Sequence, residues 1–193
     1  MTLTIHRGTH EIGGSCVEIC SDKTKILIDL GMPLDYDKRS REEQTEIRHN
    51  AEEWCKGVDA LFLSHAHADH YGFLGLLPQD TPIYATKETF AMLALDGILG
   101  DDPTEHLEKH PLKSGQSCEV ADIKVTAHIV DHSAYGACAY LIECDGKRIL
   151  YSGDIRLHGV KGVLYKNLPK DVDYLLLEGT NILRAKNNPT ERN

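Results

Sequence analysis

Three imidazoles and a carboxylate fall within six residues at His65-Ala66-His67-Ala68-Asp69-His70, directly after the apolar run Ala60-Leu61-Phe62-Leu63. These donors suit zinc or a similar first-row divalent ion, and the absence of thiolates leaves room for a reactive water in place of a closed structural site. Side chains on a strand repeat with period two, so His65 and His67 leave the strand end on one face. A turn at Ala68 then swings Asp69 and His70 inward, and a helix is expected from Phe73 to Leu77. A histidine-rich surface turn is the bland alternative, but the spacing after a buried strand favours a metal site. The chemistry this predicts is hydrolysis by a metal-activated water.

The rest of the chain repeats one pattern, an apolar strand that ends in a polar group. Lys25 to Ile28 ends at Asp29, Ile123 to Val130 runs into Asp131-His132-Ser133, Arg148 to Tyr151 into Ser152-Gly153-Asp154, and Val172 to Leu177 into Glu178. One sheet edge can therefore gather Asp29, His65, His132, Asp154 and Glu178, where a rigid scaffold meets adaptable loops. Taken singly, His132 reads as a loop histidine and Asp154 as a turn residue; the company they keep gives them weight. Thr2 to Ile5, Ser15 to Ile19, Pro82 to Ala85 and Gly136 to Glu143 also read as strands, and Arg41 to Trp54 and Lys87 to Leu99 as helices. Asp145-Gly146 is a two-residue hairpin signal. Gly100 to His110 reads as a polar loop, in which His106 and His110 receive no metal role.

Length and composition bound the answer. The 193 residues suit one domain, and 41% apolar content suffices for a core. Thirty acids against 21 Lys plus Arg give a formal charge of -9, which argues against a broad electrostatic surface for nucleic acid or acidic lipid. A polyanion must then be held locally. Lys147, Arg148, Arg156, His158 and Lys161 cluster near Asp154 and read as solvated surface charge, with phosphate contact the alternative. No run of 18 apolar residues and no leader pattern is found, so a cytoplasmic chain with no membrane partner is expected. The six cysteines lie in or beside strand-like segments without a Cys-x-x-Cys pair and read as reduced, packed thiols.

His65-x-His67-x-Asp69-His70 resembles the signature of the metallo-β-lactamase fold superfamily, and Val58 to Ser64 resembles the run that leads into it. The resemblance implies an α/β (α+β) αββα sandwich, with residues 1–193 as the N-terminal portion of the domain. It also implies two divalent metal ions, zinc first and manganese the alternative. His65, His67 and His132 would hold one ion, Asp69 and His70 the second, and Asp154 would bridge them. Asp29 matches a position that hydrogen-bonds a ligand without binding metal itself.

Gly8-Thr9-His10-Glu11-Ile12-Gly13-Gly14-Ser15-Cys16 is similar to the opening motif of the β-CASP branch, which processes nucleic acids. Leu177-Glu178-Gly179-Thr180-Asn181 resembles that branch's acid-x-Thr segment, and with Asp131-His132-Ser133 it points toward ribonuclease J. The resemblance implies an RNA phosphodiesterase in which Asp69 accepts a proton, Asp154 with the other ligands and the metals activates and orients the water, and Glu178 positions the bridging water or a ligand. A small thioester or lactone hydrolase and a non-catalytic metal-binding domain are the alternatives. In that branch an inserted β-CASP domain and closing segment supply a last histidine, and no histidine here follows His158. A missing C-terminal portion or a homo-oligomer is therefore expected to complete the sandwich.

Overall fold

The computed structural model describes residues 1–99, 102–157, 159 and 161–180. Apolar runs bounded by turn residues build the first sheet. β1 (Thr2–Arg7), β2 (Cys16–Cys20) and β3 (Lys25–Ile28) pair antiparallel, and β3 continues in parallel to β4 (Ala60–Phe62), β5 (Pro82–Thr86) and β6 (Glu108–Leu112). The second sheet has the order β11 (Tyr174–Leu176), β10 (Lys147–Tyr151), β9 (Cys138–Cys144), β8 (Ile123–Ile129), β7 (Ser117–Val120). Only its β10–β11 pair is parallel.

Alternation assigns each strand two faces. Ile26, Ile28, Ala60 and Phe62 of the first sheet pack against Val125, Ala127, Tyr140, Ile142 and Ile149 of the second, forming the core between them. Leu27, Leu61, Leu63 and Ile83 face the other way. They are covered by Ile47 and Ala51 of α1 (Arg41–Trp54) and Leu93 of α3 (Lys87–Leu99), with Phe73 and Leu74 between. The outer face of the second sheet is covered by Tyr165, Leu168 and Val172, which pack on Val130, Ala139 and Leu150. Four layers result, and β4, buried on both faces, lies near the centre.

Local chemistry explains several boundaries. α1 starts with a reciprocal capping box in which Ser40 Oγ accepts from the Glu43 N–H and the Glu43 carboxylate accepts from the Ser40 N–H. Asp145 and Gly146 both have positive φ, at 50° and 70°, as the tight β9–β10 hairpin requires. All six cysteines are free thiols. No helix among the described residues is long and apolar enough to cross a membrane.

Three expectations need correction. The helix placed at Phe73 to Leu77 instead begins earlier, as α2 (Ala68–Tyr71), followed by a 3-10 turn over Leu74–Leu76. The loop expected over Gly100 to His110 holds for residues 102–107, Gly100 and Asp101 lying outside the described residues, but it ends at β6, a polar edge strand whose charges and Pro111 hide the usual alternation. β7, with alternate residues exposed, was not anticipated at all.

Candidate metal centre

Asp29 stands at the end of β3 with φ 58°, fully buried, and its carboxylate is the organising acceptor of the site. It accepts from the Ser64 N–H, the Ser64 hydroxyl, His70 Nδ1 and the Tyr151 hydroxyl, each at 2.7 Å. These bonds fix two tautomers. The Ser64 hydroxyl donates to Asp29, so its oxygen accepts from His65 Nδ1 at 2.9 Å and the His65 lone pair rests on Nε2. His70 donates Nδ1–H to Asp29, which likewise leaves Nε2 as its acceptor.

The backbone around α2 is held by close approach. The Ser15 N–H donates to Asp69 O at 3.0 Å, Leu30 N–H to His70 O at 2.8 Å, and Met32 N–H to Ala68 O at 3.0 Å. Gly31 passes so near that a Cβ on it would lie 1.7 Å from Asp69 O, which excludes a side chain there. The glycine-rich opening motif thus packs against the turn that presents Asp69 and His70.

Six of the sequence-selected residues converge. Donor atoms of His65, His67 and His132 lie within 4.8 Å of one another, and so do those of His65, His70 and Asp154. Asp154 sits between the sets, with one oxygen 3.4 Å from His70 Nε2 and the other 3.8 Å from His132 Nε2. Asp69 Oδ2 is 3.9 Å from His70 Nε2. The first sheet supplies His65, His67, Asp69 and His70; the second supplies His132 and Asp154. Glu178 lies on the wall of the adjoining cavity, where its carboxylate accepts from the Thr180 N–H and its own N–H donates to Ser152 Oγ. The partner residue Asn181 of that motif lies outside the described residues, as does His158.

The electrostatics favour a cation. Burial and the neighbouring imidazoles push the His65 pKa far down, so this ring is neutral. Its Nε2 is buried without a hydrogen-bond partner, an arrangement that costs free energy unless an electrophile is bound. His67 Nδ1 and His132 Nε2 face each other at 3.2 Å, and burial lowers the His132 pKa as well. Burial opposes a charged His70, yet the Asp29 and Asp154 carboxylates outweigh it and raise its pKa to about 10, so without metal its Nε2 carries a proton that a bound ion would displace. Burial also opposes ionised Asp154, but His70 and the other imidazoles hold its carboxyl below the usual range. An orphaned acceptor, convergent imidazoles and two carboxylates together fit a divalent metal centre.

A cavity of about 710 Å³ opens from these groups, walled by the 8–13 loop on one side and the ends of β10 and β11 on the other. Asp69, His70, Asp154 and Glu178 all line it. Sequence reasoning missed Ser64 and Tyr151. A polar residue ending the apolar run before His65 was the available signal for the first; nothing marked the second. Asp131, read only as a neighbour of His132, is 1% exposed and accepts from the Lys161 N–H at 2.9 Å.

Residues 24–187 match the family described as a β-lactamase superfamily domain. The chain belongs to the metallo-β-lactamase superfamily. An RNase J-like protein of Methanocaldococcus jannaschii is 30% identical over 194 residues, which cover 92% of this chain and 42% of that one. Transcription termination factor FttA of Methanothermobacter thermautotrophicus is 32% identical over 176 residues, covering 80% and 27%. A solved Enterococcus faecalis protein of unknown function superposes with a TM-score of 0.81 at 27% identity, over 97% of this chain and 52% of that chain. This metallo-β-lactamase superfamily chain thus spans less than half the length of the two curated relatives.

Proposed function

We propose that the chain carries the hydrolytic centre of a cytoplasmic, ribonuclease J-like RNA phosphodiesterase with two divalent ions. The observation behind this reading is the convergence of two donor sets that share His65, the second of which reaches the wall of one cavity through His70 and Asp154. His65, His67 and His132 would hold one ion, Asp69 and His70 the other, with Asp154 shared. Zinc suits this imidazole-rich set best, and manganese is the alternative. Such ions acidify a water and polarise a phosphodiester oxygen.

The chain's own groups do the positioning. Asp29 and Ser64 hold His65 and His70 in the tautomers that direct Nε2 inward. Asp69 lines the cavity and would accept the proton of the attacking water. Glu178 lines the same cavity and would orient that water or the substrate. RNA as substrate is supported by the relatives' names and by the opening and acid-x-Thr motifs.

The test compares hydrolysis of a labelled single-stranded RNA, bis(p-nitrophenyl) phosphate and a thioester, with and without chelator. Chelator-sensitive cleavage of RNA is expected. Turnover of the thioester alone would replace the substrate class, and no turnover of any of them by folded, zinc-loaded protein would sink the catalytic reading.

A further inference from the structure

A second cavity, of about 300 Å³, lies beside the segment that carries His132. It begins at Ala134, two residues past that histidine, and is bordered by Lys87, Lys113, Lys161 and Tyr135. Three lysines and one acid, Glu88, line it, and the Glu88 carboxylate lies 3.8 Å from Lys87 Nζ. On a chain of formal charge -9 this is a local reversal of sign. Tyr135 is 62% exposed at the rim, which leaves its ring accessible to a planar ligand.

The frame behind these side chains is rigid. Gly136, at φ 83°, packs so closely on the start of α3 that a Cβ would lie 2.4 Å from Glu88 Cβ and 2.5 Å from Thr86 Oγ1. The Thr86 hydroxyl donates to Gly136 O at 2.8 Å and accepts from the Thr89 N–H at 3.1 Å, fixing Lys87 between them. Lys161 is tied through its N–H to the buried Asp131 carboxylate, whose residue adjoins His132. The Lys113 N–H donates to Gln116 Oε1 at 3.0 Å. Three separate stretches of chain therefore bring lysines to one hollow, whose wall includes Val130 and Ala134 on either side of His132 in the chain.

We infer that this hollow is a nucleotide subsite for single-stranded RNA, in which Tyr135 stacks on a base and Lys87, Lys113 and Lys161 contact flanking phosphates. The chemistry matches how single strands are held without sequence readout, by aromatic platforms and a cationic track. Being adjacent to His132, the subsite would hold the strand beside the metals and set which phosphodiester reaches them. This rests on the RNA reading above and deepens it.

The test is equilibrium binding of a fluorescent 12-nucleotide RNA to the whole chain, measured with chelator present so that cleavage does not intervene. Tyr135→Ala should weaken binding roughly 5- to 100-fold, and Tyr135→Trp should restore it. Lys87→Ala combined with Lys113→Ala should flatten the slope of log affinity against log salt by about 0.7 per lysine removed. Unchanged affinity and slope in both variants would overturn the subsite, as would tighter binding of duplex than of single strand. Equal competition by polyglutamate would assign the hollow to acidic peptides and overturn it too. Chelator-sensitive turnover of bis(p-nitrophenyl) phosphate, read in parallel, tests the catalytic reading separately. If RNA binds as described and nothing is hydrolysed, the subsite stands and the catalytic reading falls.

Discussion

A carboxylate can govern a metal site without touching the metal. Asp29 accepts four hydrogen bonds and thereby holds Nδ1 of His70 directly, and Nδ1 of His65 through Ser64, which leaves Nε2 of each ring for the metal. Asparagine tolerates the left-handed backbone at this position but cannot accept from all four donors. Asp29→Asn should therefore lower zinc affinity roughly 10- to 100-fold, the usual effect of losing a partner behind the ligands. His67→Ala should remove bound metal outright, whereas His106→Ala, which belongs to neither donor set, should leave it unchanged. Elemental analysis and zinc titration of the three variants decide this, and equal metal in all of them would refute the assignment. At this scale the sequence was informative, because ligand residues announce themselves by type and spacing. Ser64 and Tyr151 did not, since a serine and a tyrosine at strand ends carry no signature until the buried carboxylate they serve is seen.

Elements aim these residues. β4 ends three residues before His65, and α2 begins at Ala68, so strand, extended link and helical turn occupy a stretch too short to hold its shape unaided. Its rigidity comes from neighbouring backbone, above all the contact between Gly31 and Asp69 O. Gly31→Ala would force these chains apart and should destabilise the protein by about 1–3 kcal/mol, with loss of metal affinity, because overpacking against backbone cannot relax cheaply. Gly75→Ala is the control, as nothing lies within 4 Å of a Cβ there. Denaturant unfolding of both variants measures the difference; equal stability would show that the close approach is not a constraint. Strands with apolar alternation and helices with caps were legible beforehand. β6 and β7 were not, because edge strands carry polar residues and depend on partners distant in sequence.

At the scale of the whole molecule, the candidate centre joins the two sheets. The first supplies His65, His67, Asp69 and His70 and the second His132 and Asp154, so ions held there would cross-link the layers of the sandwich. Zinc at about 1,000 times its dissociation constant should stabilise the fold by about 4 kcal/mol. For a chain of this size that raises the melting temperature by roughly 8–16 °C. Calorimetry with zinc or with chelator checks it, and the shift should vanish in His67→Ala; coincident melting curves for wild-type protein would show that no ion couples the sheets. Tyr174 and Leu175 of β11 and Leu177 just after it remain exposed, an apolar edge beside the larger cavity. Read alone, the sequence determined the ligand types, most strand and helix positions and the superfamily, since each is written in local spacing and side-chain period. The tertiary structure alone decided which donors share a site, which tautomers they adopt and where the lysines of three separate segments meet. Those outcomes depend on contacts between residues far apart in the chain, and no local pattern encodes them.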